Sequence, residues 1–345
     1  QKAAVTCHQS DHETIKNLVM ELHTDPAKRS VLGRTLHDLF PANANKTFLG
    51  ILKQHLPLNE LNEKTAFCVG VGGIGVSSLA LHFAQRGYTV FGSDLTSSEV
   101  TRRLESAGIT VYIGHNAKNI PRNTSIVVYS AAVPENNEEI IEARKRHIET
   151  LSHKEYLGRL SKRQLTVAVS GTHGKTTTTA FLGYTLLKKY DPRVIVGSFV
   201  PQFDGLNYHH GSDNSILILE ADEFRSHLLL LSPKIIALTN IDIDHMDFYK
   251  DLRDIQRHFQ QFVDKLPADG VLVKNLDDAN LSSIVTPRMI TYGFTEKATF
   301  RASGISLTQG SNLYSTQGTN TLRYFYYFTP GRIQRLKRPC GDRCR

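Results

Sequence analysis

The stretch that most constrains this fold runs from Leu165 to Leu187. Leu165-Thr166-Val167-Ala168-Val169 is an apolar, β-branched run that reads as a buried parallel strand. It breaks into Ser170-Gly171-Thr172-His173-Gly174-Lys175-Thr176-Thr177, after which Ala180-Phe181-Leu182 and Leu186-Leu187 recur at helical spacing. A strand, a tight Gly-x-x-Gly-Lys-Thr turn and a helix form a cradle for a nucleoside triphosphate. Glycines let backbone N–H groups wrap the phosphates, and the helix N-terminus adds partial positive charge. Lys175 would reach the β- and γ-phosphates, and the Thr176 hydroxyl would sit on Mg²⁺. The general phosphate-loop spacing, Gly-x-x-x-x-Gly-Lys-[Ser/Thr], would need glycine where the chain has Val169. A glycine turn that merely caps a helix, with Lys175 in solvent, is the plainer alternative. The strand before the turn and the Lys-Thr pair within it favour an ATP site over Gly171 to Thr177.

A chain of 345 residues, 40% of them hydrophobic, can bury two cores. Its net charge of +8 hints at nucleic acid until the charge is located. In the last fifteen residues Arg332, Arg335, Lys337, Arg338, Arg343 and Arg345 stand against Asp342, which leaves +5 there and only +3 on the other 330 residues. The basicity belongs to a tail and does not argue for a nucleic-acid groove. Cys7, Cys68, Cys340 and Cys344 are too scattered for a disulfide framework, and the Cys340-x-x-x-Cys344 pair lacks the second pair a zinc site needs. No run approaches the roughly 18 apolar residues of a membrane span, so a cytoplasmic protein without a membrane partner is the expectation.

Residues 1–63 read as three short helices, through Ile15 to Leu22 and Phe48 to Lys53, and carry no assignable role. His8, His12, His23 and His37 share no metal-ligand spacing and read as solvated helix faces. From Thr65 the pattern changes. Thr65-Ala66-Phe67-Cys68-Val69 runs into Gly70-x-Gly72-Gly73-x-Gly75 and a helical segment, and Thr89-Val90-Phe91 ends in Gly92-Ser93-Asp94. This is the spacing of a dinucleotide turn, with Asp94 about 20 residues on for a ribose hydroxyl. By itself it certifies a strand, a turn and a helix N-terminus facing a diphosphate. A nicotinamide cofactor and a UDP-sugar both fit. Further strands at Thr110 to Ile113 and Ser125 to Ser130, and a helix through Glu138 to Arg144, imply a doubly wound parallel sheet with ligand at the carboxyl ends of its strands. Gly72, Gly73, Gly75, Asp94, His115 and Ser130 fall at those ends. The charged segment from Glu149 to Gln164 reads as a helical connection to the ATP strand.

Beyond the phosphate turn, Val194-Ile195-Val196 reads as a strand and Gly197 to Ser212 as a loop over the site. Ser215 to Leu219 is a buried strand delivering Glu220, Asp222 and Glu223, and Ile235 to Leu238 is another, ending in Asp242, Asp244, His245 and Asp247. Acidic strand tips beside a phosphate loop are what Mg²⁺ sites use, because hard cations take oxygen ligands. Asp251 to Lys265 reads as an amphipathic helix, Gly270 to Val273 as a strand, and residues 289–328 as short β hairpins.

Together these motifs resemble the Mur ligases of peptidoglycan synthesis, and within them the branch that adds L-alanine to UDP-N-acetylmuramate. The turn Gly70 to Gly75, Gly114-His115-x-x-x-Asn119, Ser130-Ala131-Ala132-Val133-Pro134 and Asn137-x-Glu139 look like the UDP-muramoyl pocket. Gly171 to Thr177 is similar to the family's ATP loop, and its shortened spacing accounts for Val169. Glu220-Ala221-Asp222-Glu223 and Thr239 to Asp247 look like its metal-binding strand ends. The resemblance implies an α/β fold, with a Rossmann-like UDP-sugar domain over 64–164 and a P-loop ATP-binding central domain over 165–330. It also implies ATP and Mg²⁺ as cofactors, Lys175, Glu220 and His245 as catalytic residues, and Thr176, Glu220 and His245 on the metal. The implied reaction joins L-alanine to the lactyl carboxylate through an acyl phosphate. The family's third domain has no counterpart after Pro330-Gly331-Arg332, and the composition shift over 331–345 predicts a truncated or frame-shifted end.

Three other readings fit the same residues. A sibling ligase attaches a tripeptide to the same nucleotide sugar. A nicotinamide-dependent dehydrogenase domain could be fused to a phosphate-loop ATPase, which Asp94 permits although no hydride-transfer constellation is visible. A non-catalytic binder could hold both nucleotides without turnover.

Overall fold

The computed structural model describes residues 64–308, apart from 245 and 247, together with 311–317 and 325–328. The readings made for residues 1–63, for His245 and Asp247, and for the tail with Cys340 and Cys344 lie outside the described residues.

Two α/β layers follow one another along the chain. The first is a parallel five-stranded sheet, β1 (Thr65–Val69), β2 (Thr89–Asp94), β3 (Thr110–Ile113), β4 (Thr124–Tyr129) and β5 (Glu149–Ser152), in the order β3-β2-β1-β4-β5. Its helices are α1 (Ile74–Gln85), α2 (Glu99–Ser106), α3 (Glu138–Lys145) and α4 (His153–Ser161). Strand β1 is buried throughout, and its alternation sends Ala66 and Cys68 to one face and Phe67 and Val69 to the other. The first pair packs with Leu79 and Phe83 of α1, the second with Ala143 of α3 and Ile120. A sheet covered on both faces has to be apolar in consecutive residues, as β1 is. The order reverses between β1 and β4, so the crevice lies above the ends of these two strands.

The second sheet is larger. Strands β6 (Leu165–Ser170), β7 (Pro192–Val200), β8 (Leu206–His209), β9 (Asp213–Glu220), β10 (Ile235–Leu238), β11 (Val271–Asn275), β12 (Met289–Gly293), β13 (Phe300–Thr308), β14 (Ser311–Gln317) and β15 (Phe325–Phe328) lie in the order β15-β14-β13-β12-β11-β10-β6-β9-β7-β8. Helix α5 (Lys175–Tyr190) packs Ala180, Leu182 and Leu186 on Val167, Val194 and Ile218. Helix α6 (Leu252–Val263) covers the other face; Asp251 caps it by accepting from the Asp254 amide at 2.8 Å. Its fully buried Phe259 and Phe262 are each worth about 2–3 kcal/mol of burial.

Three expectations need correction. Glu149–Ser152 is a strand pairing in parallel with β4, and only His153–Ser161 is helical. The Ser152 hydroxyl accepts from the Glu155 amide and starts the helix there. Gly197 to Ser212 is not an open loop: β7 extends to Val200, and after a left-handed Asp204-Gly205 turn β8 pairs back antiparallel with it. Within 289–328, β12 pairs in parallel with β11, while β13, β14 and β15 are the antiparallel part.

The two layers share one hydrophobic cluster, which contains Leu79 and Leu157 as well as Leu217 and Ile236. Polar contacts cross there too. Fully buried His82 on α1 places Nδ1 3.1 Å from the Tyr208 hydroxyl of β8 and Nε2 3.3 Å from the Tyr156 hydroxyl of α4. Burial holds the His82 imidazole well below its usual range, and it moves His153, the first residue of α4, from 6.5 to about 3. For His153 the charges of Lys154 and His227 add to this effect, while Asp222 opposes it. The unfolded chain therefore binds these protons first as pH falls. Both contributions are present above about pH 6.5 and fall as pH drops; that of His153 is lost progressively towards pH 3, with about 2 kcal/mol gone by pH 5. Urea unfolding at pH 7.5 and pH 5 should show this fall, and His153→Gln should reduce it. An unchanged midpoint in the unmodified protein would refute it.

Candidate active site

Strand register lines up the phosphate loop with its surroundings. Val169 of β6 lies beside Glu220 of β9, and Ser170 beside Leu238 of β10. The carboxyl ends of the three strands therefore share one edge, with the chain leaving β6 at the point where its neighbours diverge.

The loop is fixed by the residues after β10. The amide of Thr172 donates to the Asn240 carbonyl at 3.0 Å and that of His173 to Asn240 Oδ1 at 2.8 Å. Asn240 Nδ2 and the Thr239 hydroxyl both donate to the His173 carbonyl, at 2.8 and 2.7 Å. The Thr172 hydroxyl accepts from the Asp242 amide at 2.8 Å. The 172 and 173 amides are used inside the protein, whereas those of Gly174, Lys175, Thr176 and Thr177 stand at the N-terminus of α5 without intrahelical acceptors and can meet phosphate oxygens.

Lys175 Nζ donates to the carbonyls of Gly171 and Thr172 at 2.7 and 3.1 Å and to Glu223 Oε1 at 2.9 Å. Glu223 is 3% exposed; burial raises its carboxyl above the usual range, and the Lys175 charge partly offsets this. The Thr176 hydroxyl donates to Glu220 Oε1 at 2.9 Å, and Glu220 Oε2 accepts from the Gly197 amide at 2.7 Å. A hydroxyl and a carboxylate side by side form a hard-oxygen pair that fits Mg²⁺. Among the described residues no group of three His, Cys, Asp or Glu side chains is gathered as a metal cage. Asp222 is turned elsewhere, 3.0 Å from Lys154 of α4, beside a small cleft that Glu220 and His227 also line.

The second cluster lies on the edge of the first sheet. The Gly70 and Val71 amides donate to the Ser93 carbonyl and the Gly114 amide to that of Asp94, which binds the turns after β1 and β3 to β2. Asp94 Oδ2 accepts from the Gly72 amide at 2.8 Å, and a Cβ on Gly72 would fall 2.8 Å from that same oxygen. One oxygen of the carboxylate is thus spent on the glycine turn. Ser130 follows β4, and its amide donates to the Val69 carbonyl at 3.0 Å. His115 lies against Glu139, which also takes Ser93, Asn116 and Asn119. The structure therefore gathers Gly72, Gly73, Gly75, Asp94, His115 and Ser130 on one edge, and Lys175, Thr176 and Glu220 on the other.

Several members of these clusters carried no signal of their own in the sequence. Asn240 reads as part of an acidic strand end, Gly197 as a loop glycine and Glu223 as one of three carboxylates, until the fold pairs each with its partner.

Two family models match the chain in succession, the Mur ligase family catalytic domain over residues 67–165 and the Mur ligase middle domain over residues 169–326. The chain belongs to the Mur ligase family. Curated UDP-N-acetylmuramate–L-alanine ligases from Geobacter sp. (strain M21) and Salinibacter ruber are 42% and 43% identical to it, over 70% and 69% of this chain and 52% and 50% of their own. The chain thus spans about half the length of the curated relatives it matches. The solved UDP-N-acetylmuramate–alanine ligase MurC from Thermotoga maritima superposes with a TM-score of 0.66 at 29% identity, covering 78% of this chain and 61% of that one. A murein peptide ligase from Psychrobacter arcticus has the same fold, with a TM-score of 0.64 at 23% identity over 76% of this chain and 60% of its own. Among the described residues no helix is long and apolar enough to cross a membrane.

Proposed function

We propose that this chain is the nucleotide-binding part of an ATP-dependent ligase that joins L-alanine to the lactyl carboxylate of UDP-N-acetylmuramate. Residues 64–164 would hold the UDP-sugar and residues 165–330 the ATP. The observation that carries the reading is the pairing of Lys175 with Glu223 and of Thr176 with Glu220 around one glycine loop. It supplies a cation and a hard-oxygen pair where a γ-phosphate would lie.

In the proposed reaction a lactyl carboxylate oxygen attacks the γ-phosphorus, the bond to the β-phosphate oxygen breaks, and ADP leaves. The L-alanine amine then attacks the acyl carbon, inorganic phosphate departs, and the amine loses a proton as the amide forms. Gly171 to Gly174 shape the loop, and the first-turn amides of α5, Lys175 to Thr177, meet the phosphate oxygens. Lys175 offsets charge on the transferring group. Thr176, Glu220 and His245 would hold Mg²⁺, which when bound supplies further neutralisation of phosphate charge. Gly72, Gly73, Gly75, Asp94, His115 and Ser130 orient the UDP-sugar, so that the first sheet contributes by positioning the carboxylate.

Thermal unfolding with each ligand tests the binding half. At about 100 times its dissociation constant, UDP-N-acetylmuramate or Mg-ATP should raise the melting temperature by roughly 5 °C or more, and NAD should leave it unchanged. Stabilisation by NAD instead would favour the dehydrogenase reading and sink this one. Phosphate release that requires UDP-N-acetylmuramate and L-alanine together supports the ligase. A requirement for tripeptide in place of L-alanine would move the assignment to the sibling enzyme. Binding of both nucleotides without release under either condition would leave a binder.

A further inference from the structure

Glu139 stands at the start of α3, fully buried, with donors on every side. The Ser93 hydroxyl donates to its Oε2 at 2.5 Å. Asn119 Nδ2 donates to Oε1 at 2.8 Å and the Asn116 amide to the same oxygen at 3.1 Å. His115 Nδ1 lies 2.9 Å from Oε2. An ionised carboxylate can only accept, so the hydrogen in this last contact belongs to His115. The Ser93 oxygen lies 3.0 Å from the same Nδ1, and with its own proton directed at Glu139 it can likewise only accept there. Both neighbours of Nδ1 therefore demand a proton on it.

A neutral imidazole protonated at Nδ1 presents a bare lone pair at Nε2. That nitrogen has no protein partner among the described residues and is not sealed off from water; the side chain is 13% exposed. Gly114, at φ +93°, turns the chain after β3, and its amide donates to the Asp94 carbonyl at 2.7 Å, which brings His115 to the edge that carries the Gly70 to Gly75 turn.

We infer that Glu139 is a positioning residue that locks His115 as its Nδ1–H tautomer, so that Nε2 accepts a hydrogen bond from a donor of the bound nucleotide, a ribose hydroxyl or the uracil imide N–H. The ligand half of this inference rests on the reading of this edge as the UDP-sugar site. An acceptor fixed in this way discriminates against nucleotides that lack the matching donor, because its lone pair is then left unpaired.

Two measurements on the 345-residue chain test it. Histidine-selective ¹⁵N NMR without ligand reads the tautomer, with His115 assigned by the signal lost in His115→Gln. The expected spectrum is a protonated Nδ1 and an unprotonated Nε2 at pH 8, and the reverse overturns the Glu139 half. Glu139→Gln should move the signal towards a mixture of tautomers, which a merely structural role would not do. Should that variant fail to fold, the spectrum of the unmodified chain still decides.

For the ligand half, UDP, its 2′-deoxy and 3′-deoxy analogues and its N3-methyl analogue are titrated against the unmodified chain and His115→Phe. One analogue should bind about tenfold more weakly than UDP to the unmodified chain and equally to His115→Phe. His115→Gln, whose amide oxygen can reach the Nε2 position, should restore part of the difference. Equal binding of all four ligands overturns this half. Failure of UDP itself to bind overturns it together with the functional reading, while the ligand-free spectrum still judges Glu139.

Discussion

Lys175→Ala should weaken Mg-ATP binding by about 10- to 100-fold and lower any ATP-dependent phosphate release by roughly 10²- to 10³-fold. The ammonium is held by two carbonyls and the Glu223 carboxylate, and its side chain is only 15% exposed, so its position is set before a phosphate arrives. A preset charge gives up little when the phosphoryl group transfers. Alanine also removes the Lys175 charge that offsets the burial of Glu223, which should lower stability by itself. The double change Lys175→Ala with Glu223→Gln should recover much of that stability while binding stays weak, and this separates the two effects. Lys175→Arg should not rescue binding, because a planar guanidinium cannot occupy the place of a single nitrogen between two carbonyls. Calorimetric titration of ATP into the folded variants decides the matter. An affinity for Lys175→Ala within twofold of the unmodified chain would remove Lys175 from the phosphate site.

The glycine turns and buried strands of both layers are legible in the sequence because their signals are local. Thr65 to Val69 and Leu165 to Val169 are apolar in consecutive residues, and a turn follows each within two residues. Strand β5 is harder to see, because Glu149-Thr150-Leu151-Ser152 is a short edge strand with one apolar residue and a cap that belongs to the next helix. The β7–β8 hairpin is masked by its composition, since Gly197, Asp204 and Gly205 read as a loop although only the last two make the turn. Pairings within the site are less legible again. Lys175 and Glu223 are 48 residues apart and Ser93 and Glu139 are 46 apart, so only the order of strands brings either pair together. Residue type announces that a lysine or a carboxylate is there. Topology decides which one it meets.

Gly171→Ala is expected to be the most damaging small substitution in the phosphate loop. Gly171 leaves β6 at φ +134°, a conformation an L-residue adopts only under strain. An added Cβ would lie 2.2 Å from the Thr239 hydroxyl oxygen and 2.8 Å from the Asn240 carbonyl oxygen. The hydroxyl cannot swing aside freely, because it bonds the carbonyls of Ser170 and His173, and the Asn240 atom is backbone that already accepts from the Thr172 amide. A methyl group there has to push β10 away from the loop or open the loop itself, and either movement displaces Lys175, whose nitrogen rests on the Gly171 carbonyl. Strain and overpacking together should cost about 3 kcal/mol or more, a fall in melting temperature of roughly 6–12 °C, with ATP binding lost in whatever fraction stays folded. Gly174→Ala is the matched control. Gly174 also has positive φ, at +80°, but a Cβ would meet nothing within 4 Å, so only the backbone cost of about 1 kcal/mol should appear. Parallel melting curves in which Gly171→Ala is no worse than Gly174→Ala would show that Thr239 and Asn240 do not brace the loop.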